Sequence, residues 1–305
     1  MAIPTSRTTE AAEIRIDTAL CSGCGKCVQV CKDYSLILQN HKAAINPNPI
    51  FGCIACGHCM AICPEGAIEI YGRTTSPDDL FELPSMESTS RYEDFLALCQ
   101  RRRSVREFKN KAIPPEIVEK ILAAAVTSPM GLPPSDVNLL VFDNKEKNRK
   151  FVEDFCRYLL SMKWMVSDWF LALMRPFWGK TNDEVFRKFV KPAIAIYTSE
   201  MEKDINVVTY DAPLAIYFYA SPYADPADPI VAATTAMYAA ESLGLGTCML
   251  GAIHPLIQNG KKAKQLREKY GIKYTSREGV FVIFGYPAVS YKKGIKRTFA
   301  SVVNN

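Results

Sequence analysis

The sequence predicts a two-domain protein that mixes helices with strands. A chain of 305 residues is long enough to fold as two domains. Eight of its 11 cysteines fall between residues 21 and 63, and the rest of the chain alternates helix-like with strand-like segments. We therefore expect a cysteine-rich domain over residues 1–75, a linker over 76–90 and a larger domain over 91–305.

The composition is typical of a globular protein, with 48% hydrophobic and 23% charged residues. The net charge of +5 is too small to indicate a nucleic-acid partner. The first residues, MAIPTSRTTE, lack the apolar core of a signal peptide, and the most apolar window, KWMVSDWFLALM, is shorter than the about 20 residues that cross a bilayer. These features predict a cytoplasmic protein with neither a nucleic-acid nor a membrane partner.

The cysteines of the first domain form an internal repeat. Each cysteine of the first run has a counterpart 32 positions later, which indicates that one small unit is duplicated. The two runs are Cys21, Cys24, Cys27 and Cys31, and Cys53, Cys56, Cys59 and Cys63. The segments EIRIDTALC before the repeat and GAIEIYG after it alternate apolar with polar residues, which predicts short flanking strands.

Two kinds of metal site are compatible with so many cysteines in a chain without a signal peptide. A structural zinc site commonly uses two C-x-x-C pairs separated by a loop. Three cysteines at intervals of three, with a fourth after four residues, are instead typical of two-cluster iron–sulfur proteins, whose fourth cysteine ligates the other cluster. The pattern favours iron–sulfur, with zinc as the alternative. The expected ligand sets are Cys21, Cys24, Cys27 and Cys63 for one cluster, and Cys53, Cys56, Cys59 and Cys31 for the other.

Residues 21–64 resemble bacterial two-cluster 4Fe-4S ferredoxins. The resemblance implies two 4Fe-4S clusters that transfer electrons. Pro64 follows Cys63 as in that family, whereas Lys32 follows Cys31. Because Lys32 is not a ligand position, the ligand count is unchanged. His58 is expected at the surface or beside a cluster, since the thiolates already complete both ligand sets.

Helix and strand patterns fill the larger domain. RYEDFLALCQRR and PPEIVEKILAAAV predict helices, while VNLLVF, PLAIYFYA and VFVIFG predict buried strands. FVKPAIAIYTSE fits either structure. DPIVAATTAMYAAESLG predicts a helix that Gly244 caps, and its alanines place it at the centre of the fold or in a subunit interface. The three tryptophans of residues 161–180 predict core and dimer packing, with a flavin pocket wall as the alternative.

The basic run RRRSVREF has three interpretations. Its cations suit the C-terminal end of a helix, where the helix dipole is negative. Nucleic-acid contact is disfavoured because no wider basic stripe accompanies the run. Phosphate binding is the functional interpretation, since Arg102, Arg103 and Arg106 offer bidentate donors and Ser104 adds a hydroxyl.

The ordered set RRRSVREF, SPMGLPP, ESLGLGTCMLG and GYP with a later KR resembles the FMN-dependent nitroreductase family over residues 91–305. The resemblance implies an α+β fold, with an antiparallel-dominated sheet flanked by helices, in an intertwined homodimer that binds FMN at its interface. It implies phosphate and ribityl contacts from Arg102, Arg103, Ser104, Arg106 and Arg297, and ring contacts from Pro129, Met130, Gly131, Leu250 and Gly251. The second motif departs from the family, because Met130 stands where a serine is usual.

These two resemblances together imply an oxidoreductase. Clusters pass single electrons, whereas a nitro compound or quinone usually takes two, and a flavin converts between the two modes. We expect electrons to pass from reduced ferredoxin, or a similar low-potential donor, through the clusters to FMN, which reduces a small electrophilic acceptor. No side-chain acid or base is predicted. The alternatives are an NAD(P)H-dependent flavin reductase or dehalogenase-type enzyme with auxiliary clusters, and a non-enzymatic electron-transfer or redox-sensing module.

Overall fold

A computed structural model describes residues 2–304. Its cysteine-rich part contains the elements β1 (Glu13–Ile16), α1 (Lys26–Val30), β2 (Leu36–Gln39), β3 (Lys42–Ile45), α2 (His58–Ile62) and β4 (Ile68–Tyr71). Strand β1 pairs antiparallel with β4, and β2 pairs with β3. The two flanking strands predicted from the sequence are thus present, and they pair with each other.

The repeated unit is visible in the two short helices. Each helix follows a glycine in the left-handed conformation, Gly25 and Gly57, with φ of 73° in both. Left-handed backbone favours glycine, because a Cβ there approaches the following carbonyl oxygen. The cysteines Cys27 and Cys59, one in each helix, are buried in the small core between the strands.

The segment between β4 and the second domain is exposed and holds two short 3₁₀ turns, Pro77–Asp79 and Met86–Ser88. Helix α3 (Tyr92–Arg101) follows and packs on a later helix, as RYEDFLALCQRR predicts. The division into domains at residues 75 and 90 stays a prediction.

A four-stranded antiparallel sheet forms the centre of the larger part. Its strands are β5 (Val137–Phe142), β6 (Leu214–Ala220), β7 (Gly246–Leu250) and β8 (Gly279–Gly285), in the order β5-β6-β8-β7. Every residue of β6 and β8 is buried, because helices cover both faces of the sheet. The α+β class and the three predicted strands are confirmed.

Helices α4 (Pro115–Ala125) and α8 (Asp228–Ser242) cover one face of the sheet, and α5 (Lys145–Met162) covers the other. The alanines of α8 are buried against α4 and the sheet, so the helix lies at the centre of the fold, as its sequence predicts. Gly244 follows α8 with φ of 79°, and the N–H of Leu245 donates to the carbonyl of Ala240. Gly244 is therefore a helix cap, as predicted.

The remaining helices lie in two connections, one between α5 and β6 and the other between β7 and β8. They are α6 (Asp168–Val185), α7 (Lys191–Glu202), α9 (Ile253–Leu256) and α10 (Lys261–Lys269). The ambiguous segment FVKPAIAIYTSE is helical, with Pro192 in the first turn of α7. Trp164, Trp169 and Phe177 are 52%, 62% and 78% exposed, so the expectation that this segment packs in the chain's core is wrong for these three side chains. No helix within residues 2–304 has the length and apolarity to cross a membrane.

Candidate cofactor sites

The eight cysteines of the repeat surround two cavities. Site one is lined by Cys21, Cys24, Cys27 and Cys63, and site two by Cys31, Cys53, Cys56 and Cys59. Each site therefore takes three cysteines from one run and the fourth from the other run. The structure brings together the same two sets that the spacing predicts.

The chemistry of these thiols suits metal-bound sulfur. Burial, with the neighbouring thiols Cys53 and Cys56 adding to it, raises the pKa of Cys59 to about 12, and burial also raises the pKa of Cys27. A bound metal removes such a proton outright. Backbone N–H groups point at other sulfurs: Ala67 N lies 3.3 Å from Cys63 Sγ. Donors of this kind stabilise the sulfurs of iron–sulfur clusters.

The four thiols of each site stand around a cavity rather than at a single point. Among residues 2–304, no three His, Cys, Asp or Glu side chains converge closely enough to hold one metal ion. A single zinc ion needs its sulfur ligands about 2.3 Å away, whereas a cubane of four irons and four sulfides holds its thiolates farther apart. The four cysteine thiols that line each cavity are the ligand set that a 4Fe-4S cubane takes.

Site two lies against the larger part of the molecule. Its cavity, of about 290 Å³, is also lined by Met130, Gly131 and Pro133. These residues belong to the loop that the sequence resemblance places at a flavin ring. The two parts of the chain therefore meet where one set of cysteines adjoins that loop.

Polar contacts, most of them partly buried, join the two parts at this junction. The backbone N–H and hydroxyl of Ser6 donate to the carboxylate of Asp136 over 2.8 and 2.6 Å, and Ser221 Oγ donates to it over 2.6 Å. Arg73 Nη2 donates to the carbonyl of Pro133 over 2.9 Å. Sequence reasoning missed Asp136 and Arg73, because no periodic pattern marks either residue.

The basic run lies beside β7 in extended conformation. The N–H of Val105 donates to the carbonyl of Thr247 over 2.9 Å. Successive side chains of the basic run therefore point to opposite sides of the backbone. Ser104 and Arg106 lie near the buried thiol of Cys248, where Ser104 and the charge of Arg106 oppose the rise in its pKa that burial causes.

Arg103 faces a basic cavity of about 630 Å³ between the run and the C-terminal tail. The other cations around this cavity are Arg101, Lys292, Lys293 and Lys296, against the single carboxylate of Glu241. A Cβ on Gly294 would lie 2.6 Å from Arg103 Nη2, so a larger residue there would displace the guanidinium. A cavity of this size and charge fits a phosphate-bearing ligand.

The predicted ring contacts do not converge within one chain. Pro129 and Met130 line a cavity between α4 and β5, and the N–H of Gly131 donates to Asp228 Oδ1 over 3.0 Å. Gly251 lines a different cavity at the end of β7, and Leu250 packs on the sheet core. Arg297 lies in the exposed tail, one residue beyond the lining of the basic cavity.

Sequence reasoning also missed a buried polar cluster beside Gly251. Tyr217 Oη lies 2.9 Å from His254 Nδ1, and Gln258 Nε2 donates to Tyr217 Oη over 3.0 Å. Burial lowers the pKa of His254, which outweighs the nearby charge of Glu278. The spacing of His254 and Gln258, about one helical turn apart, is the one sequence signal that could have indicated the cluster.

The fold and these sites define a class of protein: a domain with two cysteine sites joined to an α+β domain with a basic ligand cavity. The sequence profile of the nitroreductase family matches residues 99–286, more than half of the chain, so the chain belongs to the nitroreductase family. The profile of the 4Fe-4S dicluster domain matches residues 13–64. That match decides between iron–sulfur and zinc in favour of iron–sulfur.

One solved structure supports the fold. A nitroreductase with bound FMN from Bacteroides fragilis NCTC 9343 is 19% identical, with 69% of this chain and 99% of that chain covered and a TM-score of 0.51. Another with bound FMN, from Desulfitobacterium hafniense DCB-2, is 21% identical, with 69% and 97% covered and a TM-score of 0.49. Iodotyrosine deiodinase 1 of Homo sapiens is 32% identical over 74 residues, which span 23% of this chain and only 26% of that protein.

Proposed function

We propose that this protein is an oxidoreductase that carries electrons from two 4Fe-4S clusters to FMN and reduces a small electrophilic acceptor, such as a nitro compound or a quinone. The observation that carries the proposal is the shared cavity of site two and residues 130–133. Electron transfer between cofactors requires that they lie close together, and this junction is where the cysteine domain meets a proposed flavin-binding loop.

The cysteines of site one and site two are the proposed cluster ligands. The duplicated spacing, the convergence on two cavities and the dicluster profile all support this assignment. In bound form, the clusters supply one-electron transfer and the flavin supplies the two-electron reduction of the acceptor. The chain's own contribution is to hold these groups in position and to limit the access of water.

The proposed flavin phosphate site is the basic run with its neighbouring cavity. Arg103 faces the cavity, while Arg102, Ser104 and Arg106 lie along β7. Arg297 of the tail is proposed to join them when the phosphate is bound. Arginine side chains suit this role because their planar forks donate two hydrogen bonds to one phosphate.

A homodimer would complete the site. In one chain the proposed ring contacts, Pro129–Gly131 and Leu250–Gly251, line different cavities. The tail also exposes apolar side chains, with Ile295 and Phe299 81% and 85% exposed. Exposed apolar segments of this kind are typical of subunit interfaces. We propose that the tail packs on a second copy and that Pro129–Gly131 faces the partner's β7 end. Analytical ultracentrifugation of the full chain, with a variant truncated after residue 290, tests the dimer.

The central test measures electron flow in protein purified without oxygen. Iron, sulfide and flavin are quantified per chain, and about eight irons and one FMN are expected. Reduced ferredoxin is then mixed with the protein, and bleaching of the flavin absorbance is followed. Reduction through the clusters supports the proposal; a flavin that NAD(P)H bleaches rapidly while ferredoxin leaves it oxidised contradicts the proposed route.

A matched pair of arginines tests the flavin site. Arg103→Ala removes a charge that faces the basic cavity, whereas Arg91, at the start of α3, is exposed and lies outside the lining of that cavity. Loss of a hydrogen bond to a charged group costs about 1.5–3 kcal/mol, so we expect FMN to bind about 10- to 150-fold more weakly to Arg103→Ala. Arg91→Ala should differ little from the unaltered chain. Equal affinity in both variants would place the phosphate elsewhere.

A second candidate reaction, reductive dehalogenation, is favoured by the short match to iodotyrosine deiodinase 1. The same cofactors would serve it. Oxidation of the reduced flavin by a halogenated tyrosine, a nitroaromatic compound and a quinone, compared at equal concentrations, ranks the acceptor classes. The class that oxidises the flavin fastest is the best candidate for the substrate.

A further inference from the structure

Arg73 lies two residues after β4 and contacts Pro133 of the proposed flavin loop, which lines the cavity of site two. It is 5% exposed. Nη1 donates to the carbonyl of Glu10 over 2.8 Å, and Nη2 donates to the carbonyl of Pro133 over 2.9 Å. The guanidinium thus ties the N-terminal segment to the loop that shares the cavity of site two.

The charge of Arg73 lacks a close counter-ion among residues 2–304. It takes part in no ion pair there, and its buried Nε has no hydrogen-bond partner. Burial lowers the pKa of Arg73, while the charges of Cys53 and Asp136 act in the opposite direction. The carboxylate of Asp136 is already engaged by Ser6 and Ser221. A buried cation without a partner is unfavourable, and an anionic group nearby removes that penalty.

The proposed cluster of site two is such an anion. A 4Fe-4S cluster with four thiolate ligands carries net negative charge, and Cys53 is one of the four ligands at this site. Reduction adds one more negative charge. A buried cation stabilises the reduced form more than the oxidised form, which raises the reduction potential of the cluster.

Site one has cations of a different kind. Lys42 Nζ donates to the carbonyl of Cys21, and Lys26 lines the cavity. Lys26 is exposed and Lys42 is half-buried, so water and salt screen their charges. Their effect on the potential should therefore be smaller than that of Arg73.

We infer that Arg73 is a positioning residue that sets site two as the higher-potential cluster and holds it against residues 130–133. With clusters bound, the cysteines of site one would hold the cluster that takes an electron from the donor, and those of site two would hold the cluster that receives this electron and gives it to the flavin; each transfer would move one electron and no atoms. This assignment rests on the proposed function. It makes site two the point from which electrons leave the cysteine domain.

The test is a redox titration of the full chain, followed by electron paramagnetic resonance of the reduced clusters. Arg73→Gln removes the charge and should shift one of the two midpoint potentials to lower values while the other stays constant. Arg73→Lys keeps the charge and should restore most of the shift. Arg7→Gln is the control, because Arg7 also crosses the junction, to the carbonyl of Ser135, but is exposed.

Every outcome of this test supports or contradicts the inference about Arg73. Unchanged potentials in Arg73→Gln, equal shifts of both clusters, or an equal shift in Arg73→Lys would overturn the inference. If Arg73→Gln assembles only about four irons, Arg73→Lys alone decides, since retained charge must leave the potential near its original value. The potentials are measured whether or not the clusters reduce the flavin. Failure of electron flow to FMN in the unaltered chain would refute the proposed function and leave this result standing separately.

Discussion

Site one and site two are built from the same repeated spacing, but their surroundings differ. The cavity of site one is lined by residues 21–68, all from the cysteine-rich part. The cavity of site two is lined in addition by Met130, Gly131 and Pro133. Duplication thus supplies two equivalent ligand sets, and tertiary contacts make one outward-facing and the other inward-facing. The proposed direction of electron flow, from site one through site two, depends on this asymmetry.

The largest expected effect separates the two sites directly. Cys24 and Cys56 are equivalent in the repeat and both exposed, so Cys24→Ala and Cys56→Ala form a matched pair. Loss of a ligand should exceed the about 10- to 100-fold effect of losing an outer partner, so flavin reduction by ferredoxin should fall more than about 100-fold in Cys56→Ala. Cys24→Ala should lose less, because site two remains beside the loop. Stopped-flow absorbance measures both. Equal losses would remove the proposed asymmetry.

A backbone difference between the repeats gives the next effect. Gly23 has φ of 74°, and an added Cβ would lie 2.0 Å from the carbonyl oxygen of His41. Its counterpart, Ala55, is buried with φ of 59°. Left-handed strain and overlap together should cost Gly23→Ala at least about 2 kcal/mol of unfolding free energy.

The reverse change should be mild. Ala55→Gly relieves left-handed strain and loses a buried methyl group, so the unfolding free energy should stay within about 1 kcal/mol of the original. Anaerobic denaturant titration, followed by cluster absorbance, compares the two variants. Similar destabilisation by both would show that the two turns are held equally tightly.

The junction contacts should matter only to site two. Ser6→Ala removes one hydroxyl donor from Asp136 and leaves the backbone N–H of Ser6 and Ser221 Oγ in place. We expect a cost of about 1 kcal/mol, seen as about fivefold faster hydrogen exchange in residues 130–136. Ser22→Ala, at the cavity of site one, is the control. Faster exchange in both variants would indicate that the two sites are coupled through the whole domain.

The smallest expected effect concerns the buried base His254 and the pH dependence of the free energy of unfolding. Burial holds the pKa of His254 below its ordinary value of 6.5, so the folded chain takes up this proton at a lower pH than the unfolded chain does. Stability should therefore decrease on going from pH 7 to pH 6, by up to about 0.7 kcal/mol. His254→Gln should lose this part of the pH dependence. A larger decrease in the variant would contradict the assignment.

The sequence could predict those features that depend on local spacing. The crossed grouping of the cysteines follows from intervals of three, three and four residues, which are typical of two-cluster iron–sulfur proteins, and the strands and the cap at Gly244 follow from short patterns. The junction could not be predicted, because Ser6 and Asp136 lie 130 residues apart and Arg73 reaches Pro133 across 60 residues. Contacts at such separations leave no periodic signal in a single sequence.

The aromatic and proline-containing segments show a second reason. FVKPAIAIYTSE is rich in residues that suit strands, yet Pro192 stands where a helix tolerates proline, and the segment packs as a helix on α5. Trp164 and Trp169 resemble core residues by type, but their exposure depends on what the helical connection between α5 and β6 packs against. The proposed flavin contacts also depend on tertiary structure: the basic run pairs with β7 across more than 100 residues, and the proposed ring contacts line separate cavities.

The contact between Ser6 and Asp136 also affects the order in which the two parts of the chain can dock during translation. Ser6 leaves the ribosome long before Asp136 and Ser221, so the cysteine domain is complete while its docking surface is still untranslated. During that interval residues 130–133 do not yet cover site two, and both sites are open to the cellular machinery that delivers iron and sulfide. Loading of site two is therefore expected to precede docking, which then closes over it.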